Sequence, residues 1–361
     1  MPVDQNQPKK GNAMQKPFLI PAEALRVFGQ RIFEKTGVPA EDATITAEIL
    51  VDANLRGVDT HGIFLVNLYA RRLQKGLMNP RPKFDFVKKR AGVGILDADF
   101  SLGQVSTLRA TRRAVELAKD AGVGIVSVKN SNHFGAASYF GEYCAQKDCI
   151  GLIMSDGECD VIPFGGREKF LGTNPLCCCI PAGQYPWFCL DMATSEVAFG
   201  KVRAAALARK TIPPNWAVDR AGNPVTDATK AYAVVPMSGA KGYAIGLMIE
   251  ILSSRFTHMP YGAHIIRKFD DWEHKAFMGH YVQAIDISAF CPVEEFKKGM
   301  DELFADLKSQ PRAPGVEEIL IPGEPEWRNK QRRLKEGCPI SPEDVSLLRR
   351  LGEDLGVPFP A

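Results

Sequence analysis

The sequence predicts an α/β fold, and three observations carry that expectation. Apolar residues recur at helical spacing near the start, as at Leu25, Phe28, Ile32 and Phe33. From Ser101 to about Arg255, short apolar runs alternate with helical stretches, the pattern of helices laid on a sheet. No G-x-G-x-x-G turn joins a strand to a helix, so a Rossmann unit is not expected.

Residues 1–17 read as a disordered extension, because Met1 to Lys16 is polar and lacks the apolar stretch of a secretory signal. Pro21 opens a first helix, Gly37 to Pro39 ends it, and a second runs from about Ala40 to Leu55. A third spans about Ile63 to Lys75, with Gly76 placed to stop it. Phe84–Lys88 and Gly94–Asp97 read as strands of a hairpin or meander. Helix Gln104–Ala121, strand Gly124–Val128, helix Ala136–Lys147 and strand Ile150–Ser155 then alternate. Leu176–Ile180 and Trp187–Asp191 are expected to pair antiparallel around the Ala182–Pro186 turn. Ala240–Arg255 is an apolar helix, and Gly279–Ile287 is a strand. An amphipathic helix, Val293–Ser309, precedes a proline-rich loop and the basic helix Glu326–Glu336. Ser341 caps the last helix, with Glu343 and Asp344 in its first turn.

The bulk numbers exclude several classes of function. The 361 residues suit one large domain or two to three coupled ones. Hydrophobic residues at 45% and charged residues at 24% describe an ordinary globular protein. A net charge of +3 provides no field for nucleic acid or a membrane surface. No apolar run reaches the roughly 18–20 residues that span a bilayer. Nine cysteines without a CxxC pair read as buried reduced thiols in a cytoplasmic protein, and no His–His spacing suggests a metal.

Three glycine-bearing loops offer backbone N–H groups beside small or hydroxyl side chains. They are Phe164–Gly166 running into Gly172-Thr173-Asn174-Pro175, the Asp191-Met192-Ala193-Thr194-Ser195 segment, and Lys241-Gly242. Each can equally be an ordinary tight turn or helix cap. Two histidines have distinctive settings. His61 lies in a turn between helices, after Asp59 and Thr60, and His133 follows a strand and precedes a helix, within Asn132 to Gly135. Strand ends in α/β layers are where ligands bind, and imidazole exchanges protons near neutrality. A loop histidine is also commonly structural or merely solvated.

Taken together, RGVDTHG, NHFGAASYF, PFGG, LGTNPL, DMATS, GKV, AKGYAIGLMIEILS and PGEPE resemble, in order, the blocks of the non-Rossmann type-2 malate/L-lactate dehydrogenase family. The resemblance covers about Pro21 to Ile340, and Val161 to Val235 looks closest to the ureidoglycolate dehydrogenases. It implies hydride transfer between a nicotinamide cofactor, NAD or NADP, and a small 2-hydroxy or 2-keto acid. It implies a mixed-sheet cofactor domain over 101–287. A second α/β domain, for substrate and dimerisation, would be formed by 18–100 plus 288–361, in a homodimer or larger assembly. The cofactor would lie across Gly172–Pro175, Asp191–Ser195, Lys241-Gly242 and Gly323-Glu324-Pro325, with His61 beside it. His133 matches the proton acceptor of ureidoglycolate dehydrogenases, and His61 the acid proposed in diketogulonate reductases. Thr60, Tyr69, Asn132, Gly135 and Arg56 would meet the substrate.

One departure bears on specificity. Leu65 stands where members commonly carry an arginine that can hold the substrate carboxylate, and Thr60 where serine is usual. Without a bidentate guanidinium, malate and other dicarboxylates are not expected to be the best substrates. Arg56 and Lys129 are possible substitutes. Reduction of a cyclic imine, such as piperideine-2-carboxylate, needs little different machinery. A nucleotide-binding protein without catalysis and a scaffold are the readings from other classes. The basic residues Arg328, Lys330, Arg332, Arg333 and Lys335, flanked by Glu326 and Glu336, are expected to form a solvated helix face.

Overall fold

The computed structural model describes residues 16–360, so the extension read over 1–17 lies, except for Lys16 and Pro17, outside the described residues. Strand β1 (Phe18–Ile20) leads into helices α1 (Ala22–Lys35), α2 (Ala40–Arg56) and α3 (Leu65–Gln74). Pro21 and Pro39 sit at the N-caps of the first two, where a missing N–H removes no helical bond. The hairpin β2 (Asp85–Arg90) and β3 (Val93–Asp97) follows. Next come α4 (Gly103–Ala121), β4 (Val123–Ser131), α5 (Ser138–Ala145) and β5 (Cys149–Ser155). Then β6 (Leu176–Pro181), β7 (Trp187–Met192) and α6 (Phe199–Leu207) precede the two-residue strands β8 (Ala217–Val218) and β9 (Ala233–Val234). The chain closes with α7 (Ala240–Ser254), β10 (Met278–Asp286), α8 (Val293–Ser309), α9 (Glu324–Glu336), β11 (Cys338–Ile340) and α10 (Pro342–Leu355).

Seven strands form one mixed sheet in the order β2-β3-β4-β10-β5-β6-β7, parallel at β3–β4 and antiparallel elsewhere. The late strand β10 enters the middle, which a reading along the chain does not reveal. Side chains alternate across it. Val282 and Ala284 join the core under α4 and α5, whereas Tyr281 packs with Met154 and Ile249 of α7. Gly124 lets α4 lie directly on β4, since a Cβ there would fall 1.9 Å from the Ala114 carbonyl oxygen. This two-sided cover makes the central strands β4, β5 and β10 largely apolar runs rather than amphipathic ones.

The first and last described elements meet in a second layer. β1 pairs antiparallel with β11, α9 packs on α2, and α10 packs on α1 and α3. Helix α10 is capped by Ser341, whose hydroxyl accepts from the Asp344 N–H, and Gly356 ends it in the left-handed region. The β2–β3 hairpin belongs to the central sheet, although a division at residue 100 groups it with the N-terminal helices.

The basic helix α9 is solvated at Arg328, Arg332 and Lys335, as its composition suggests, but its other two cations turn inward. Lys330 pairs with Asp52, Arg333 with Asp59, and Arg328 with Glu318 and Glu324. Flanking glutamates in sequence said nothing of acids on α2 and the following turn. All nine cysteines are free thiols, seven of them buried. Cys177, Cys179 and Cys189 converge so that their sulfurs lie within 4.8 Å of one another. Spacing rules do not see this grouping, because it comes from two residues on one face of β6 and a third across the ladder.

Candidate active site

His133 is set by the end of β4 and the start of α5. Asn130 and Gly135 both have positive φ (52° and 88°), which turns the chain sharply on each side of it. The Asn132 amide anchors this loop by donating to the Phe100 and Ser101 carbonyls at 3.1 and 2.8 Å. Its Oδ1 is buried without a partner. Behind the loop, His280 bridges the Ser155 and Ser131 hydroxyls at 2.8 Å each and packs on Phe134.

His61 comes from the 3-10 turn Asp59–His61. Asn54 shapes that turn, donating to Asp59 at 2.8 Å and accepting from the Ile63 N–H at 2.7 Å. The Thr60 hydroxyl lies 3.0 Å from His61 Nδ1. The two imidazoles stack, with centroids 5.6 Å apart and planes 26° apart. On α3, the Tyr69 hydroxyl meets His133 Nδ1 at 2.6 Å. Residues 61 and 133 thus come together from segments 72 positions apart.

Each imidazole keeps some accessible surface while protein encloses it on most sides. That setting disfavours the charged form. Burial and the Lys268 ammonium push the His61 pKa down to about 4. His133 is driven well below its usual value by burial, then by Lys268, His61 and His280. Burial raises the Tyr69 phenol, as does the Glu158 carboxylate, so the phenol keeps its proton. At neutral pH the site therefore holds two neutral imidazoles and a neutral phenol. Gln104, fully buried on α4, lies beside Tyr69 with neither side-chain polar atom in a well-formed hydrogen bond.

Arg56, expected to meet the substrate, is instead buried in ion pairs. Its side chain is 4% exposed, and its guanidinium is held by Asp52 and, in a two-pronged contact, by Glu142. Trp187 donates to the same Glu142 at 2.8 Å. Lys129 pairs with Asp97 at 3.0 Å. Leu65 is 1% exposed within the main core, so it offers no apolar surface to a substrate.

The glycine-bearing loops fall into two groups. In the first, Asn174 donates to the Gly246 carbonyl and to Glu250 of α7, while Thr194 bonds the carbonyls of Thr173 and Asn174. Ser195 bonds the Val197 carbonyl. These side chains hold Gly172–Pro175 and Ala193–Ser195 in shape. Helix α7 starts on Gly239, with no side chain capping the amides at Ala240 and Lys241, and Gly242 N–H is bonded to Met237. In the second group, Gly323 packs on β7, where a Cβ would come 2.7 Å from that of Cys189. It also begins α9 without a side-chain cap. Glu324 is committed to Lys308, Arg328 and the Ile321 N–H, and Pro325 lies in the first turn. Asp191, at the end of β7 with Met192, accepts from the Ser138 N–H at 2.8 Å and so ties this strand to the helix after His133.

Three residues near the histidines escaped sequence reasoning. Gln104 is a polar residue at a buried helical position, a signal that could have been weighed. Lys268 and Glu158 sit in irregular segments and carry no signal.

The residues from 20 to 349 match the family model described as malate/L-lactate dehydrogenase. An L-sulfolactate dehydrogenase of Methanocaldococcus jannaschii is 39% identical over 90% of this chain and 94% of its own. A ureidoglycolate dehydrogenase (NAD(+)) of Escherichia coli K12 is 33% identical over 85% of this chain and 88% of its own. A malate dehydrogenase structure from Entamoeba histolytica superposes with a TM-score of 0.90 at 29% identity, covering 96% of this chain and all of the other. With the family model and these whole-length relatives in agreement with the mixed sheet, this chain belongs to the malate/L-lactate dehydrogenase family.

Proposed function

We propose that this protein is an NAD(P)-dependent oxidoreductase of small 2-hydroxy and 2-keto acids, with His133 exchanging the hydroxyl proton. The Tyr69–His133 hydrogen bond beside His61 is the observation that carries this reading. To take a proton at Nε2, neutral His133 must carry its own on Nδ1. The Tyr69 oxygen then accepts that N–H, with Gln104 beside the phenol. On oxidation, the substrate hydroxyl proton passes to His133 Nε2, the C2–H pair leaves as hydride, and C2–O becomes a double bond. Reduction is the reverse, from imidazolium. His61, held by Thr60, stacks beside His133, and Gly135 lets the chain turn there with its positive φ.

Bound nicotinamide supplies or takes the hydride at its C4. The chain fits such a cofactor because two long helices, α7 and α9, begin on glycines without side-chain caps, and helix N-termini suit a diphosphate. Asp191–Ser195, Lys241-Gly242 and Gly323–Pro325 would hold it, with Gly172–Pro175 bracing them. In the same reading, 101–287 with the β2–β3 hairpin binds the cofactor. The layer from 18 to the hairpin, plus 288–361, closes over the substrate. Free thiols suit a reducing cytoplasm. Exposed Met248 and Ile251 on α7 provide an apolar face for a homodimer or larger assembly.

The test is oxidation of NADH and NADPH against a panel of 2-keto acids and cyclic imines. Turnover of 2-keto acids supports the proposal. Turnover confined to cyclic imines moves the reaction to C=N, and tight NADH binding with no turnover anywhere contradicts catalysis.

A further inference from the structure

A site that receives a 2-hydroxy acid must meet a carboxylate, and the cations suggested by sequence do not serve. Arg56 is buried in its own ion pairs, Lys129 holds Asp97, and position 65 is a core leucine. Arg72, fully buried one turn beyond Tyr69 on α3, directs its guanidinium at backbone carbonyls. These belong to Lys268 at 3.2 Å, Asp271 at 2.7 Å and His274 at 2.9 Å. The helix that places Tyr69 on His133 therefore also fixes the segment that carries Lys268.

The Lys268 side chain is 13% exposed, and Glu158 Oε1 accepts both its backbone N–H at 2.6 Å and its ammonium at 2.9 Å. This double contact folds the side chain back and holds Nζ in place. An ammonium has three donors, so two are left after Glu158. Of the charges that act on His61 and on His133, Lys268 acts most strongly on each.

We propose that Lys268, positioned by Glu158 and by the Arg72 clamp, is the cation that binds the substrate carboxylate, in the role that position 65 cannot fill. The assignment rests on the hydroxy-acid reading and narrows it. A single ammonium, already shared with Glu158, selects a monoanionic 2-hydroxy or 2-keto acid over a dicarboxylate.

The experiment compares the wild-type chain with Lys268→Met and Lys268→Arg in two assays. The first is NADH-dependent reduction of a 2-keto acid and of its uncharged amide. The second is binding of oxamate, an unreactive substrate-shaped anion, to the protein–NADH complex, read by nicotinamide fluorescence. Lys268→Met is expected to raise KM for the acid roughly 10- to 100-fold, to leave KM for the amide unchanged, and to abolish oxamate binding. Lys268→Arg is expected to restore part of the preference for the acid, and unchanged NADH affinity shows that the fold is intact. An acid-to-amide preference and oxamate affinity unaltered in Lys268→Met would overturn the assignment. If the wild type reduces neither compound, the dehydrogenase reading fails by itself, and the oxamate arm still decides the lysine.

Discussion

The Tyr69 hydroxyl and His133 Nδ1 lie 2.6 Å apart, joining the helical layer to the end of a sheet strand. The bond fixes the imidazole ring and, in the productive tautomer, leaves Nε2 for the substrate. Tyr69→Phe removes it without changing shape. We expect kcat to fall about tenfold, the worth of one positioning hydrogen bond, with NADH affinity unchanged. Gln104→Leu, acting one step further away, should give a smaller fall. Steady-state kinetics with fluorescence titration of NADH checks both. An unchanged kcat in Tyr69→Phe would separate this bond from the chemistry.

The depressed histidines set the pH dependence. His133 is held below its usual value by burial, Lys268, His61 and His280, while Tyr69 stays protonated and Glu158 partners Lys268. Oxidation uses neutral His133, so its kcat/KM should stay level from pH 8 down through 6.5 and fall only at lower pH. Reduction uses the imidazolium, so its rate should decline as pH rises over the same range. Lys268→Met, which removes a positive charge, should move the oxidation limb upward. A limb at or above 6.5 in the wild type would place the proton transfer on another group.

His280 offers a stability prediction apart from activity. It is fully buried between two serine hydroxyls, and burial pushes its pKa down to about 3. The unfolded chain therefore binds a proton that the folded chain refuses, between the ordinary histidine value and about 3. Stability should fall as pH drops through that window, by about 1.4 kcal/mol per unit from this group. His280→Gln should make urea-unfolding free energies between pH 6 and 5 less steep by one proton. An unchanged slope would mean that His280 is charged in the fold.

The Arg56 cluster is a stability element. Arg56→Met leaves Glu142 and Asp52 buried with fewer partners, and breaking such a pair costs about 3–5 kcal/mol. Thermal denaturation should show a large drop in Tm, while folded protein at low temperature keeps the wild-type KM. A raised KM with an unchanged Tm would return Arg56 to the substrate.

Much of this architecture was legible in the sequence because it follows from local pattern. Helices α1, α4, α8 and α10 and strands β5 to β7 follow apolar period, prolines, glycines and the Ser341 cap, all within a few residues of each element. The central place of β10 was not legible, since pairing with both β4 and β5 is decided across more than 120 residues. Neither were β1 and β11, three residues each, whose stability comes from one another. At the site, His61 and His133 stood out by their turns and their family blocks. The burial of Arg56 is not readable from Asp52 alone, because its other acidic partner Glu142 lies 86 residues away, and the setting of Lys268 is not readable because Arg72 and Glu158 meet it only in the folded chain.

The most direct test of the account is His133→Ala, assayed for 2-keto acid reduction with either nicotinamide cofactor while NADH binding is titrated in parallel. The account predicts unchanged NADH affinity and a kcat lowered roughly 10²- to 10⁴-fold, the usual contribution of a general acid–base. Turnover within a few-fold of wild type would contradict it and move the proton to another group.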